Sequence, residues 1–113
     1  MKMAKKTLGT SFSERVVQIA LSVPKGRVTT YGRIARAAGG GAMTSQSVTN
    51  ILGKAYNNGQ TDIPFHRIVY ADGSVWMNNI YRTKRLKLYK EEGIEIDGKG
   101  KIKNFEEKLW EFK

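Results

Sequence analysis

Apolar positions recur along the first half of the chain at helical spacing. Phe12, Val16, Ile19, Ala20 and Val23 share one face. Ser11 with Glu14 three residues on has the form of a capping box, so a helix is predicted to start there and to end at Pro24 and Gly26. After Arg27 and Val28, Thr29 or Thr30 offers a cap for a second helix running to about Ala38, with Ile34, Ala35 and Ala38 inward. The glycines at 39, 40 and 41 terminate it and supply a turn. A third helix is predicted from near Thr44 or Ser45 to about Tyr56, burying Val48, Ile51, Leu52 and Ala55. Two short helices joined by a glycine-containing turn read as a helix-turn-helix, or as two helices that simply pack.

The second half alternates short apolar runs with turn residues. Asn57, Asn58, Gly59 and Gln60 form a polar loop. Beyond it, residues 67–70 and 74–76 are expected to pair as a hairpin across Asp72 and Gly73, making a small wing. A basic helix over Thr83–Glu92 stops at Gly93, and Glu95, Ile96 with Lys101, Ile102 flank a turn at residues 97–100. Asn104 and Glu107 have cap spacing for a last helix carrying Phe105, Leu109, Trp110 and Phe112. The fold class expected is mainly α with a small β wing, a winged helix-turn-helix. Residues 1–10 are expected to be a flexible basic arm and 11–113 one domain, which suits a chain of 113 residues.

Charge narrows the partner. Twenty Lys and Arg against ten Asp and Glu give a net charge of +10, which suits a polyanion because neutralised phosphates release condensed counterion. Nucleic acid is the leading partner, with lysine-driven solubility as the plain alternative. No apolar run approaches the roughly 20 residues of a membrane helix, and no apolar stretch follows the basic start as in a signal peptide. A cytoplasmic location is expected, at the nucleoid in a bacterium or in the nucleus in a eukaryote, with no membrane partner. With one histidine and no cysteine, a zinc site would have to be mostly carboxylate, so no metal and no cofactor are expected.

The segment Ile63, Pro64, Phe65, His66, Arg67, Ile68, Val69 resembles the active-site signature of the O6-alkylguanine-DNA alkyltransferases. Further matches come in order: residues 12–20, then 24–28, then Thr30 to Ala35, then Gly53, Lys54 and Ala55. The resemblance extends from about Phe12 to Ile96. In that family a cysteine stands between the proline and the histidine and accepts the alkyl group; here the position is Phe65. An aromatic there is similar to the alkyltransferase-like subfamily, whose members typically carry tryptophan.

The resemblance implies roles. Tyr31 matches the tyrosine that crowds the phosphate 3′ to the lesion and helps rotate the nucleotide out, and the third helix matches the recognition helix, which enters the minor groove. Arg33, Ser47, Thr49, Asn50, Gly53 and Lys54 are expected on DNA with Tyr31. The family's arginine finger has no counterpart: matching Gly53 to Ala55 puts Asn50 at its place, whereas counting back from Phe65 without gaps gives Val48. Asn50 is preferred, because Val48 is needed on the buried face.

The lesion pocket is expected from Tyr31, Pro64, Phe65, His66, Arg67, Val75 and Trp76, although Trp76 and Met77 also read as plain core. In cysteine-bearing relatives the histidine activates the thiol with a glutamate behind it, at the place of Glu92. Without a thiol, His66 and Glu92 are expected to brace the pocket wall. The function implied is a non-enzymatic sensor that binds O6-alkylguanine in double-stranded DNA, flips it and flags it for nucleotide excision repair proteins, as a monomer. A winged-helix regulator or architectural protein without lesion recognition is the alternative. An enzyme using another nucleophile is disfavoured, since no Ser, His, Asp set is recognisable.

Overall fold

The computed structural model describes residues 11–40 and 45–112. The basic arm expected over residues 1–10, Gly41 and the cap at Thr44 lie outside the described residues. Helix α1, Phe12–Leu21, opens with the expected capping box: Ser11 Oγ accepts from the Glu14 amide at 3.1 Å, and the Glu14 carboxylate accepts from the Ser11 amide at 2.9 Å. Helix α2, Tyr31–Ala37, is capped by the Thr30 side chain, which accepts from the Arg33 amide. It closes at Gly39, whose φ of +81° suits a residue without Cβ. Helix α3 is Ser45–Asn57. The three helices pack on one another around Val16, Ala20, Ile34, Ala35, Ala38, Val48 and Leu52.

A two-stranded sheet lies against this core. Strand β1, Thr29–Thr30, pairs in parallel with β2, Ile68–Val69, in the register Thr29 to Ile68 and Thr30 to Val69. Adjacent strand residues face opposite ways. Ile68 therefore enters the helical core while Val69 enters a second cluster with Val28, Tyr89, Ile94 and Ile102. Helix α4, Arg82–Glu91, supplies Tyr89 to that cluster and ends before Gly93, at φ +74°.

Two local expectations are corrected. The hairpin across Asp72 and Gly73 is only a tight turn, with the Tyr70 amide donating to Ser74 O and the Gly73 amide to Tyr70 O. Buried on both faces, β2 takes β1 as its partner, while Ser74 bridges Lys101 and the Val75 amide donates to Gly100 O. The last helix is one short turn, α5, Phe105–Lys108, and Asn104 does not cap it: its side chain makes no cap bond and its backbone is left-handed at φ +55°. The turn at residues 97–100 forms as expected, closed by the Ile96 to Ile102 bridge. After α5 the chain leaves extended to dock on Val28, whose amide donates to Lys108 O and whose carbonyl accepts from the Trp110 amide. Among the described residues no helix is long and apolar enough to cross a membrane.

Thr29 is fully buried, and its hydroxyl has no hydrogen-bond partner among the described residues. An unmet buried hydroxyl costs about 1–3 kcal/mol, and valine has the same shape without it. Thr29→Val is therefore expected to stabilise the fold by about 1 kcal/mol, measured as a rise in urea midpoint at unchanged slope.

Candidate functional site

Pro64 is buried, and the chain after it winds into a 3-10 turn, Phe65–Arg67, closed by the Arg67 amide donating to Pro64 O at 2.9 Å. The tight turn separates its side chains. Phe65, half-buried against the helical core, meets Tyr56 near the end of α3 edge to face, ring centres 5.9 Å apart. His66 and Arg67 reach back to Glu92 just past α4. His66 Nε2 lies 2.7 Å from Glu92 Oε2, Arg67 Nη2 lies 2.8 Å from the same oxygen, and Arg67 Nε shares both oxygens at 3.1 and 3.2 Å. The Gly26 amide donates to Glu92 Oε1 at 3.1 Å, and Arg67 Nη1 donates to Val23 O.

This network sets the protonation of its members. The Glu92 side chain is only 5% exposed, and burial pushes its pKa up. Hydrogen bonds from Arg67, His66 and Gly26 outweigh that and bring it down to about 2. Burial pulls the His66 pKa below its ordinary value, against the opposing pull of Glu92. His66 is thus neutral at pH 7 and donates its Nε2 proton to an ionised carboxylate. Tyr89, pushed up to about 12 mainly by burial, stays a phenol and donates to His66 O at 2.6 Å.

An aromatic cluster lies nearby. Tyr31 is half-buried at the start of α2, its ring centre 6.2 Å from Tyr70, and burial raises its pKa, as does Tyr70. The Arg85 guanidinium sits 5.2 Å from the centre of the Trp76 ring, and Trp76 meets Tyr81 at 6.0 Å. The positive charge of Arg85 also opposes the upward pull of burial on Tyr31 and Tyr89 and adds to the lowering of His66.

On α3, Val48 and Leu52 are buried while Thr49, Asn50 and Lys54 are exposed; Ser47 and Gly53 are half-buried, as is Arg33 on α2. Val48 therefore does not protrude, and Asn50 does, with its Oδ1 accepting from the side-chain Nε2 of Gln46 at 3.3 Å. Gln46, Asn50 and Lys54 form one stripe at four-residue spacing. Val75 and Met77 pack on the second core cluster, while Trp76 between them is exposed. Among the described residues no group of three or more His, Cys, Asp or Glu is placed to hold a metal.

The family model for the DNA-binding domain of 6-O-methylguanine DNA methyltransferase matches residues 11–94. The chain belongs to that family. It is 34% identical over 92 residues to a DNA base-flipping protein of Escherichia coli (strain K12), covering 81% of this chain and 69% of that one. It is 30% identical over 91 residues to the methylated-DNA–protein-cysteine methyltransferase of Methanothermobacter thermautotrophicus, covering 79% of this chain and 48% of that one. Among solved structures, S. pombe Atl1 in complex with damaged DNA containing O6-carboxymethylguanine matches with a TM-score of 0.68 at 26% identity, over 89% of this chain and 95% of that one. With Phe65 at the acceptor position, the chain is of the alkyltransferase-like type within the family.

Three residues of this site were not singled out from sequence: Tyr56, Tyr81 and Arg85. Tyr81, at the N-cap of α4, and Arg85 and Tyr89 within it are spaced by four, and that spacing was the available signal for Tyr81 and Arg85.

Glu92 also predicts acid behaviour. Its folded pKa lies below the ordinary 4.5, so its stabilisation is complete above about 4.5 and is lost as pH falls toward about 2. The lowered His66 pKa acts in the same direction from pH 6.5 downward. Glu92→Gln is expected to cost on the order of 3 kcal/mol at pH 7 and far less at pH 2.5, read from urea unfolding of both proteins at the two pH values.

Proposed function

We propose that the protein binds double-stranded DNA carrying O6-alkylguanine, turns the damaged nucleotide out of the helix, and holds it without transferring the alkyl group. The observation that carries this reading is Phe65 where relatives carry the acceptor cysteine, in a segment whose neighbours His66 and Arg67 remain bonded to Glu92. The 113 residues contain no cysteine at all, so no thiolate is there to be alkylated.

The chemistry is that of binding. Flipping costs a few kcal/mol, least at a poorly paired base, and one stacked aromatic returns about 1–3 kcal/mol. Phe65 offers the stacking face, with Pro64, His66, Arg67 and Trp76 around it; Val75, packed inward, positions Trp76. Tyr31 and Arg33 approach the backbone at the start of α2, and α3 enters the minor groove with Ser47, Thr49, Asn50 and Gly53. Asparagine lacks the charge of an arginine finger, and Lys54 brings a cation one turn along the same stripe. His66 and Glu92 brace the turn that aims Phe65. Because a sensor leaves the damage in place, nucleotide excision repair proteins are the proposed recipients, with the protein acting as a monomer.

A regulator that kept the scaffold and lost lesion recognition is the second reading, favoured by the absence of arginine from α3. Sequence selection enriching one operator-like site would promote it.

Fluorescence anisotropy at matched salt tests the first reading. A duplex with one O6-methylguanine is expected to bind at least several-fold more tightly than its undamaged twin, and equal affinities would sink it. Phe65→Leu, which keeps apolar bulk, is expected to lose about 1–3 kcal/mol of affinity for the damaged duplex only. Labelled alkyl groups are expected to stay on the DNA.

A further inference from the structure

Residues 78–87 carry a surface that the lesion pocket does not use. Ile80 is 80% exposed and Tyr81 49%, and Leu86 is also exposed, an unusual density of apolar side chains in water for so short a stretch. Local structure holds them out. Asn78 Oδ1 accepts from the Tyr81 amide and Asn78 O from the Arg82 amide, so the turn before α4 projects Ile80 outward. Arg82, Lys84 and Lys87 interleave with these apolar groups and make no ion pair among the described residues. Glu91, at the far end of α4, is its one acidic residue.

Aromatic and aliphatic groups interleaved with unpaired cations match a polyanion that also exposes flat apolar faces, which is a nucleic acid. The surface is also continuous with the aromatic rim of the pocket: Tyr81 meets Trp76, and the Arg85 guanidinium sits over the Trp76 ring. We infer that the turn at residues 78–81 and the exposed face of α4 form a second DNA contact, beside the one made by α2 and α3. Ile80 and Tyr81 press on the sugar and base edges of the groove beside α2, and Arg82, Lys84 and Lys87 take the phosphates beyond them. This extends the DNA-binding reading above and does not depend on lesion preference.

The test is the salt dependence of binding to an undamaged duplex, where each phosphate contact contributes about 0.9 to the slope of log K against log salt. The triple variant Arg82→Ala, Lys84→Ala, Lys87→Ala, all at exposed positions, is expected to lower that slope by about 2 to 3 while its thermal unfolding stays unchanged. Ile80→Ala is expected to weaken binding several-fold at an unchanged slope. A slope unaltered by the triple variant overturns the inference, as does loss of binding to anionic lipid vesicles in that variant with DNA binding intact. Failure of lesion sensing would instead show as equal affinity of the wild-type protein for damaged and undamaged duplexes.

Discussion

The fold turns on one buried carboxylate. Glu92 receives the Gly26 amide, His66 Nε2 and two nitrogens of Arg67, so each of its oxygens has at least two donors. A charge this deep is tolerable only when saturated in that way, and the loss of any donor leaves part of it unmet. Arg67 also donates to Val23 O at the end of α1. The arrangement therefore ties the α1 exit, the 3-10 turn and the end of α4 to a single point. Phe65 belongs to that turn, so its direction is set from behind by the Glu92 network.

The pairing of β1 with β2 divides the molecule in a way that matters for the site. Ile68 enters the core of α1, α2 and α3, the helices that present the stripe on α3 and Tyr31. Val69 enters the second cluster, on which Val75, Met77, Ile96, Phe105 and Leu109 rest. The rim around Trp76 thus stands on a different foundation from the helix-turn-helix. Part of that foundation lies after residue 94, where the family match ends: Gly100 O receives the Val75 amide, and the Phe105 ring lies where a Cβ on Gly73 would be. The rim is therefore shaped in part by residues that lie beyond the matched domain.

What was legible in the sequence was local. The capping box at Ser11, the Thr30 cap and the buried face of α3 each depend on side chains within one or two turns, and each appears in the fold. The strand partner of Ile68 and Val69 was not legible, because Asp72 and Gly73 signal a turn equally well with or without a ladder behind it. Here Asp72 Oδ1 accepts from both the backbone amide and the hydroxyl of Ser74, which satisfies the turn by itself. Asn104 misled for a related reason: asparagine suits a left-handed backbone as well as a cap, and it takes the former. At the site, the motif residues were readable through the family resemblance. Arg85 and Tyr81 were not, since the four-residue spacing that joins them to Tyr89 mixes a cation with aromatics and forms no apolar stripe.

An aromatic in place of a nucleophile changes what selectivity requires. An alkyl transfer is irreversible, so a transferase discriminates at the moment of reaction and a misplaced guanine simply departs. A binder has no such step, and on the proposed reading its selectivity is only the difference between two flipping equilibria. Undamaged guanine must then be held weakly enough that intact pairing wins, which argues against maximal extrusion force. Asn50 where an arginine finger would stand, with the cation moved to Lys54, fits that demand. The neutral His66, bonded to the Glu92 carboxylate, fits the same reading, since it would add no charge beside a bound base.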